Sequence, residues 1–453
     1  MFLVNFRVKV FLLIVLLFLF FLLPGCYNND SIPDLEDDFF IGTSDVKIYP
    51  NTEKQVISYW GYDIKMLNVV SGLSASYAEE LFLEDGFNVL RVPILAIPAH
   101  ILGPGKIMES RKYEQDYNST YDEINAAIKR VLAVRNDVKI FASLKLWGQE
   151  TFPEWVKDNN NNVIPAKYAI LLMDYLEFMD ENNIPIHVLG IDNERRFNEG
   201  NITPYRFKEI VDELNKLAKD RGIELPKILG PADYHPRANW LSDFMENAWG
   251  DRLDIVATHY YPNWRDRDLD RFMNFTKIAR DNNKPLWHAE VHGHWGQHNP
   301  PGRNFIDLAE GSLITIFDSI DQGFSGFVWW AYMRDESIRG QISRKIVQST
   351  INSRPLEIEG FTDNPLVFGE FNTRAFRQDN DILIWVLNNR ESQQEKYIFE
   401  LANYLIAGPV TYIQWDTSYQ TTKGKIDGSY NIFEVLIPER TITMIRIHDI
   451  YAN

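Results

Sequence analysis

The chain has 453 residues, of which 45% are hydrophobic and 24% are charged, a balance that fits one large globular domain with a smaller one. Its net charge of -17 at pH 7 argues against nucleic-acid binding, because phosphate repels an acidic surface. The same charge disfavours anionic lipid surfaces and highly sulfated polymers. Aromatic residues make up 13% of the chain, which suits stacking on sugar rings, although most of them are expected in the core.

The N-terminus is typical of an exported lipoprotein. Residues 1–25 combine a basic start with an apolar run, 10–23, that is too short for a comfortable membrane span. The run ends in Leu-Pro-Gly-Cys, which resembles the bacterial lipobox, and its Cys26 is the only cysteine. We therefore predict a lipid anchor at Cys26 on a bacterial membrane, at the periplasmic or cell-surface face of the outer membrane, followed by a polar tether over 26–45. A simple secretory signal is the alternative.

Short apolar runs then alternate with amphipathic stretches, the pattern of βα units around a parallel sheet. Strands are predicted at 57–62, 87–94, 138–144, 188–191, 228–231, 255–259, 286–290 and 326–330. Helices are predicted at 121–134, 166–182, 203–221 and 308–322, with Thr203 as an N-cap. Eight strands are the barrel number, so residues 46–345 are predicted to form a (β/α)8 TIM barrel.

The pattern changes after about residue 346. Short strands with turns between them are predicted at 382–387, 396–400, 410–415, 432–437 and 441–447, and a helix is considered only near 401–406. We therefore predict an attached all-β sandwich over 346–453, with which a strand at 45–50 could pair.

Two glutamates carry the functional prediction. Glu194 closes the run 188–194 and Glu290 closes the run 285–290, and each follows an apolar strand and precedes a polar stretch. Their separation is about three βα units, which places both at one barrel mouth. Glycoside hydrolysis needs such a pair, so we predict Glu194 as acid/base, with a raised pKa, and Glu290 as nucleophile. The plainer alternative is two unrelated acids, one of them capping a helix.

Other strand-end residues fit a sugar site. Asn193 could bind a sugar 2-hydroxyl, and Arg91 could hold Glu290 ionised, although a structural salt bridge is equally compatible. A tyrosine hydroxyl at the end of the strand 255–259 could hydrogen-bond the nucleophile. The predicted substrate-binding set is Arg91, Trp147, Asn193, His259, Tyr260, Tyr261, His292 and Trp329. Core packing is the alternative for the two tryptophans.

A cluster of histidines forms a candidate metal site in the sequence. His288, Glu290, His292 and His294 alternate, so a continuing strand would put them on one face. The nearby Gly293 indicates that the strand ends early, and no His-Glu-x-x-His helix is present. We therefore predict no metal and no cofactor, and expect one or two of these histidines to contact sugar hydroxyls.

Several segments resemble glycoside hydrolase family 30, within clan A of the glycoside hydrolases. They are the opening run 55–61, the second strand 86–94, the stretches 143–147 and 153–157, the dipeptide Asn193-Glu194, Glu290 and the closing strand 437–443. The resemblance covers nearly the whole mature chain. It implies a (β/α)8 barrel with a side β-sandwich and a retaining mechanism. We expect a monomer that acts on a β-linked polysaccharide or its oligosaccharides.

Three alternatives stay open from the sequence. An agarase-like or porphyranase-like clan A enzyme would share the fold. A non-catalytic glycan-binding lipoprotein is the second, because Arg195 could lower the pKa of Glu194 and spoil it as an acid. A metal-dependent hydrolase built on the histidine cluster is the third.

Overall fold

The computed structural model describes residues 44–64, 73–94, 104, 120–144, 152–194, 202–260, 269–291, 305–330, 338–360, 371–388, 390, 395–418, 420–426 and 430–453. Ser44–Asn453 forms one structural unit. Within the described ranges, no helix has both the length and the apolar character needed to cross a membrane.

A closed barrel of eight parallel strands follows a first strand, β1 (Val46–Glu53). The barrel strands are β2 (Tyr59–Asp63), β3 (Val89–Ile94), β4 (Lys139–Leu144), β5 (Val188–Gly190), β6 (Lys227–Asp233), β7 (Ile255–Thr258), β8 (Leu286–Val291) and β9 (Phe324–Trp329). Each strand pairs with the next along the chain, and β9 closes on β2. The TIM barrel predicted from the sequence is confirmed.

One helix follows each barrel strand. They are α1 (Ala75–Glu79, continued by a π-helical turn Glu80–Glu84), α2 (Tyr121–Val134), α3 (Pro165–Glu181), α4 (Pro204–Arg221), α5 (Ala238–Glu246), α6 (Leu269–Asp281), α7 (Phe305–Asp321) and α8 (Ile338–Thr350). Local sequence sets their ends. The Thr203 side chain accepts from the backbone N–H of Arg206 with Pro204 in the first turn, which confirms the predicted N-cap.

Strand alternation divides the apolar residues of the barrel into two layers. Phe141, Trp287 and Val328 belong to the interior cluster, while Ile140, Leu286 and Phe327 belong to the larger cluster that includes the helices. The barrel is therefore filled at its base, and inward-facing side chains nearer the C-terminal ends of the strands are available to form a site.

The C-terminal part forms one nine-stranded sheet in the order β16-β15-β18-β12-β11-β10-β1-β13-β17. Its strands beyond β1 are β10 (Arg354–Gly360), β11 (Phe371–Gln378), β12 (Asp381–Asn388), β13 (Glu395–Leu401), β15 (Val410–Trp415), β16 (Thr421–Ile426), β17 (Ile432–Ile437) and β18 (Thr441–Ile447). The sheet is mostly antiparallel, as in the predicted all-β sandwich, and β1 lies between β10 and β13.

Two details differ from the sequence prediction. The helix considered near 401–406 is instead the short strand β14 (Tyr404–Ile406), paired with β19 (Ile450–Ala452). The predicted boundary at 346 falls inside α8, so the side-sheet strands that follow the barrel begin at β10. Helix α8 packs between the barrel and the sheet. Its apolar residues therefore fall where the sequence changes from the βα pattern to the all-β pattern, and this obscures the helix.

Candidate active site

Glu194 and Glu290 meet at the C-terminal mouth of the barrel. Glu194 follows β5, and Glu290 lies in β8, three strands further along the barrel. One side-chain oxygen of each, together with a ring nitrogen of His259, all lie within 4.8 Å of one another. The Glu194 side chain is 21% exposed and that of Glu290 only 7%, so substrate could approach from the Glu194 side.

An irregularity in β8 turns Glu290 into the mouth. Trp287 and Ala289 face the barrel interior, and regular alternation would send Glu290 outward. The pairing of β8 with β9 shifts between His288 and Val291, and this shift re-aims the carboxylate. His288 instead faces the helix layer near Phe324 and Phe327, so His288 and Glu290 do not share one face of this strand.

Arg91 organises the buried end of the site. Its guanidinium, fully buried on β3, donates to Glu290 Oε1, to Asp63 Oδ2 at 3.0 Å and to Ser143 Oγ at 2.9 and 3.1 Å. Two buried carboxylates around one guanidinium are stabilised as anions by charge pairing and hydrogen bonds. The pairing of Arg91 with Glu290 expected from the sequence is present, with Asp63 as an additional partner.

Asn193 is held by the same guanidinium. Its Oδ1 accepts from Arg91 Nη2 at 2.7 Å, and the residue is 3% exposed. Because Oδ1 accepts from arginine, Nδ2 is the side-chain atom that can donate to a substrate hydroxyl. This orientation is compatible with the predicted contact with a sugar 2-hydroxyl, because a hydroxyl can accept from an amide N–H.

A bulge in β6 positions Glu194 and His259. The pairing of β6 with β7 shifts between Pro231 and Asp233, where Ala232 has φ +49°. The Ala232 carbonyl accepts from the Glu194 N–H at 3.2 Å, and the Asp233 carbonyl accepts from the His259 N–H at 2.8 Å. Glu194 itself has φ +56°, a sparsely populated conformation that clusters at functional sites.

The imidazole of His259 lies between the two carboxylates. Its Nδ1 is 2.7 Å from Glu194 Oε1 and 3.4 Å from Glu290 Oε2. The sequence suggested a tyrosine hydroxyl for this place beside the nucleophile. Tyr260 instead faces the helix layer, stacked on Phe272 with ring centroids 4.0 Å apart, so packing is its role here.

Asp233 is a third carboxyl group close to the site, and the sequence prediction missed it. It is 1% exposed, and burial raises its pKa, while Arg237 at 3.3 Å and the Tyr234 backbone N–H oppose that rise. Its place directly after the predicted strand 228–231 is the same signal that identified Glu194. Asp63, which follows the predicted strand 57–62, was missed although it carries that signal too.

Trp329 belongs to the core rather than to the mouth. It is 1% exposed and packs on Trp60, with ring centroids 5.8 Å apart. The core alternative therefore holds for this predicted stacking residue. The next residue, Trp330, is partly exposed and shares the parity of the inward-facing Val328, so alternation makes it the better stacking candidate.

Several predicted residues lie outside the described ranges. They are Cys26, Trp147, Arg195, Tyr261, His292 and His294.

The donor set of the site is better suited to hydrogen bonding than to a metal. One imidazole nitrogen and two carboxylate oxygens are atom types that divalent cations accept. However, Arg91 already donates to Glu290, and its positive charge opposes a second cation at that carboxylate. We therefore interpret the three groups as a hydrogen-bonded cluster.

Comparisons with known proteins extend the structural result. No protein-family model matches the sequence, and no curated protein matches it. Solved structures do match. A family 30 endoxylanase from Clostridium papyrosolvens aligns with a TM-score of 0.64 and 17% identity, over 89% of this chain and 100% of that one.

Two further structures agree. A family 30 subfamily 8 xylanase from Clostridium acetobutylicum has a TM-score of 0.62 and 18% identity, over 89% of this chain and 99% of that one. A family 51 arabinofuranosidase from Xanthomonas axonopodis pv. citri has a TM-score of 0.60 and 11% identity, over 90% of this chain and 100% of that one. At these identities the likeness establishes the fold, and it confirms the family 30-like architecture that the sequence resemblance implied.

Proposed function

We propose that this chain is a retaining glycoside hydrolase with a family 30-like fold, acting on a β-linked polysaccharide or its oligosaccharides. The observation that carries the proposal is that one carboxyl oxygen of Glu194 lies within 4.8 Å of one carboxyl oxygen of Glu290 across the barrel mouth. Retaining enzymes hold their carboxyl groups about 5–5.5 Å apart, whereas inverting enzymes leave room for water at about 6.5–9.5 Å. The short spacing supports retention.

The contacts of each glutamate suit a different role. Arg91 stabilises the Glu290 anion, so Glu290 attacks the anomeric carbon as the bond to the leaving oxygen breaks. Glu194, which is more exposed, gives its proton to that oxygen. In the second step Glu194 takes a proton from water, whose oxygen attacks the anomeric carbon and releases Glu290.

The decisive experiment screens a panel of β-linked polysaccharides, xylan and agarose included, for released reducing ends. Xylan is included because two of the matching structures are xylanases. The wild type is expected to cleave at least one polymer, and Glu290→Gln is expected to abolish turnover with an unchanged circular dichroism spectrum. A Glu290→Gln variant with most of its activity would overturn the assignment.

Glu194 has its own test. Glu194→Ala is expected to lose about 10²–10⁴-fold in rate on polysaccharide, the usual contribution of general acid–base catalysis. Azide needs no general base, so it is expected to restore turnover of an aryl glycoside with a good leaving group and give a glycosyl azide of retained configuration. Proton NMR of the first-formed product reads the configuration, and an inverted product would refute the retaining mechanism.

The screen also distinguishes the main alternative. A non-catalytic glycan-binding protein would bind a polymer of the panel, release no reducing ends and respond little to Glu290→Gln. Activity on agarose alone would favour an agarase-like enzyme. Loss of activity after chelation would favour metal dependence.

We also propose that the mature protein is anchored through Cys26 to the outer membrane. The support is the apolar run and lipobox-like sequence of residues 1–26. The wild type is expected in the membrane fraction and Cys26→Ala in the soluble fraction, measured by fractionation and immunoblotting. Soluble wild-type protein without incorporated fatty acid would refute the anchor.

A further inference from the structure

His259 is buried between the two catalytic candidates, and its two ring nitrogens have different surroundings. Nδ1 is 2.7 Å from Glu194 Oε1, whereas Nε2 is buried and has no hydrogen-bond partner among the described residues. The backbone N–H of His259 donates to Asp233, which fixes the strand end that carries the ring. The imidazole is 0% exposed, so solvent does not satisfy Nε2.

This asymmetry selects one tautomer. A proton on Nε2 would leave a buried N–H without an acceptor, which is rarer and costlier in proteins than an unpaired lone pair. A doubly protonated ring would add a buried charge to the same orphaned N–H. The neutral ring with its proton on Nδ1 avoids both costs and donates to Glu194 Oε1.

We propose that His259 is a positioning residue, an Nδ1–H donor that binds Glu194 Oε1 and so places the catalytic proton on Glu194 Oε2. The inference rests on the proposed function, since it assigns the geometry of its general acid. The protonated acid accepts from His259 through Oε1 and offers Oε2–H to the leaving oxygen. After proton transfer, the same N–H stabilises the Glu194 carboxylate until water returns the proton to Oε2.

Titratable and charged groups face the ring from several strands. Glu194 faces it from the β5 end, Glu290 from β8, and Asp233 with Arg237 from the β6 end. His288 also interacts electrostatically with His259, and its own pKa is lowered to about 3, so His288 is neutral. The longer contact of Nδ1 with Glu290 Oε2, at 3.4 Å, adds weak support for an ionised nucleophile.

The first test is spectroscopic and needs no substrate. Long-range proton–nitrogen correlation on protein labelled with 15N-histidine reports which ring nitrogen carries the proton. The chain has 9 histidines, so the His259 signal is identified by its loss in His259→Asn. A protonated Nδ1 and bare Nε2 is the expected result, with the Nδ1 shift altered in Glu194→Gln. A protonated Nε2 would overturn the proposal.

The second test compares two isosteric variants on the polysaccharide that the wild type cleaves. His259→Asn keeps an N–H donor near the position of Nδ1, whereas His259→Leu removes it. We expect the leucine variant to lose about 10–100-fold more in kcat than the asparagine variant, the effect of one hydrogen bond to a charged group. Equal losses in the two variants would mean a packing role and would contradict the proposal.

The two tests separate this inference from the proposed function. If no polymer is cleaved but Nδ1 is protonated, the glycosidase assignment fails while the donor geometry stands. If cleavage is found with protonated Nε2, the assignment stands and the positioning role fails. Thermal denaturation of both variants serves to check that they remain folded.

Discussion

At the scale of single residues, Arg91 is the side chain on which the site depends most. It is fully buried and pairs with Asp63 and Glu290. Arg91→Ala would leave both carboxylates buried without a counter-charge, and breaking such a pair costs about 3–5 kcal/mol. We expect that loss in the free energy of unfolding, measured with urea.

Two companion variants separate charge from geometry. Arg91→Lys keeps the charge but lacks the planar five-donor fork that reaches Glu290, Asp63 and Asn193, so we expect a smaller stability loss with most of the activity gone. Arg354→Lys changes an exposed ion pair and is expected to shift stability by less than about 1 kcal/mol. If Arg91→Ala had the same free energy of unfolding as wild type, the charge-pairing account of Glu290 would be wrong.

His288 gives a prediction about pH. Burial lowers its pKa to about 3, while the unfolded chain binds the proton near pH 6.5. The unfolded state therefore holds more protons between these values, so stability falls as the pH drops below 6.5. At pH 5 the contribution of this residue is a loss of about 2 kcal/mol.

The matching experiment uses urea unfolding at pH 7 and pH 5. His288→Leu removes the titrating group and keeps an apolar side chain next to Phe324. The variant is expected to lose about 2 kcal/mol less stability than wild type on acidification. An identical pH dependence in both proteins would show that His288 binds its proton in the folded state as readily as in the unfolded chain. That result would contradict the lowering of its pKa by burial.

At the scale of elements, close packing between β8 and β9 fixes the base of the barrel. A Cβ added at Gly326 would lie 2.6–2.7 Å from the indole ring of Trp287, which is buried in the interior. Gly326→Ala is therefore expected to cost about 1–3 kcal/mol through overpacking. The neighbouring change Ser325→Ala, at a half-buried residue, is expected to stay within about 0.5 kcal/mol, and equal effects in urea unfolding would refute the packing argument.

The elements also show how far the sequence reaches. The eight barrel strands were predictable because each is an apolar run bounded by polar or glycine-containing turns, and residues at their ends pointed to Glu194, Glu290, Arg91, Asn193 and His259. The sequence did not predict which way the side chains face beyond the regular part of each strand. The irregularities in β6 and β8 shift the facing of nearby residues, and a single sequence does not reveal such bulges.

The alternation of side chains along a strand also explains why the wrong aromatic residue of an adjacent pair was predicted for the site. Trp329 and Trp330 are adjacent, and only the pairing of β9 with β2 decides which of them faces the mouth. Tyr260 and His259 pose the same question at the end of β7. Side-chain direction changes with every residue along a strand, so an uncertainty of one residue in register reverses the assignment. Site residues from strand ends should therefore be predicted as adjacent pairs.

At the scale of the whole molecule, one side of the sheet packs into the same core as the barrel helices, while a second apolar cluster lies within the sheet itself. Trp385 and Trp415 stack with ring centroids 5.9 Å apart, and their indole N–H groups donate to Ser349 and Gln341 of α8. Arg374 of β11 also pairs with Asp321 at the end of α7. These contacts cross from sheet to barrel helices, and the buried residues on both sides form one cluster.

This shared core predicts that barrel and sheet unfold together. Trp415→Ala opens a cavity in the contact and is expected to cost about 3–5 kcal/mol, whereas Tyr451→Ala, at an exposed tyrosine, should be nearly neutral. Calorimetry of the wild type is expected to show one transition. Activity and the circular dichroism signal of the β-sheet should be lost at the same temperature. In Trp415→Ala that single transition should move to lower temperature. Two separate transitions in the wild type would mean that the sheet is an independent domain, and the tryptophan contact would then stabilise only the sheet.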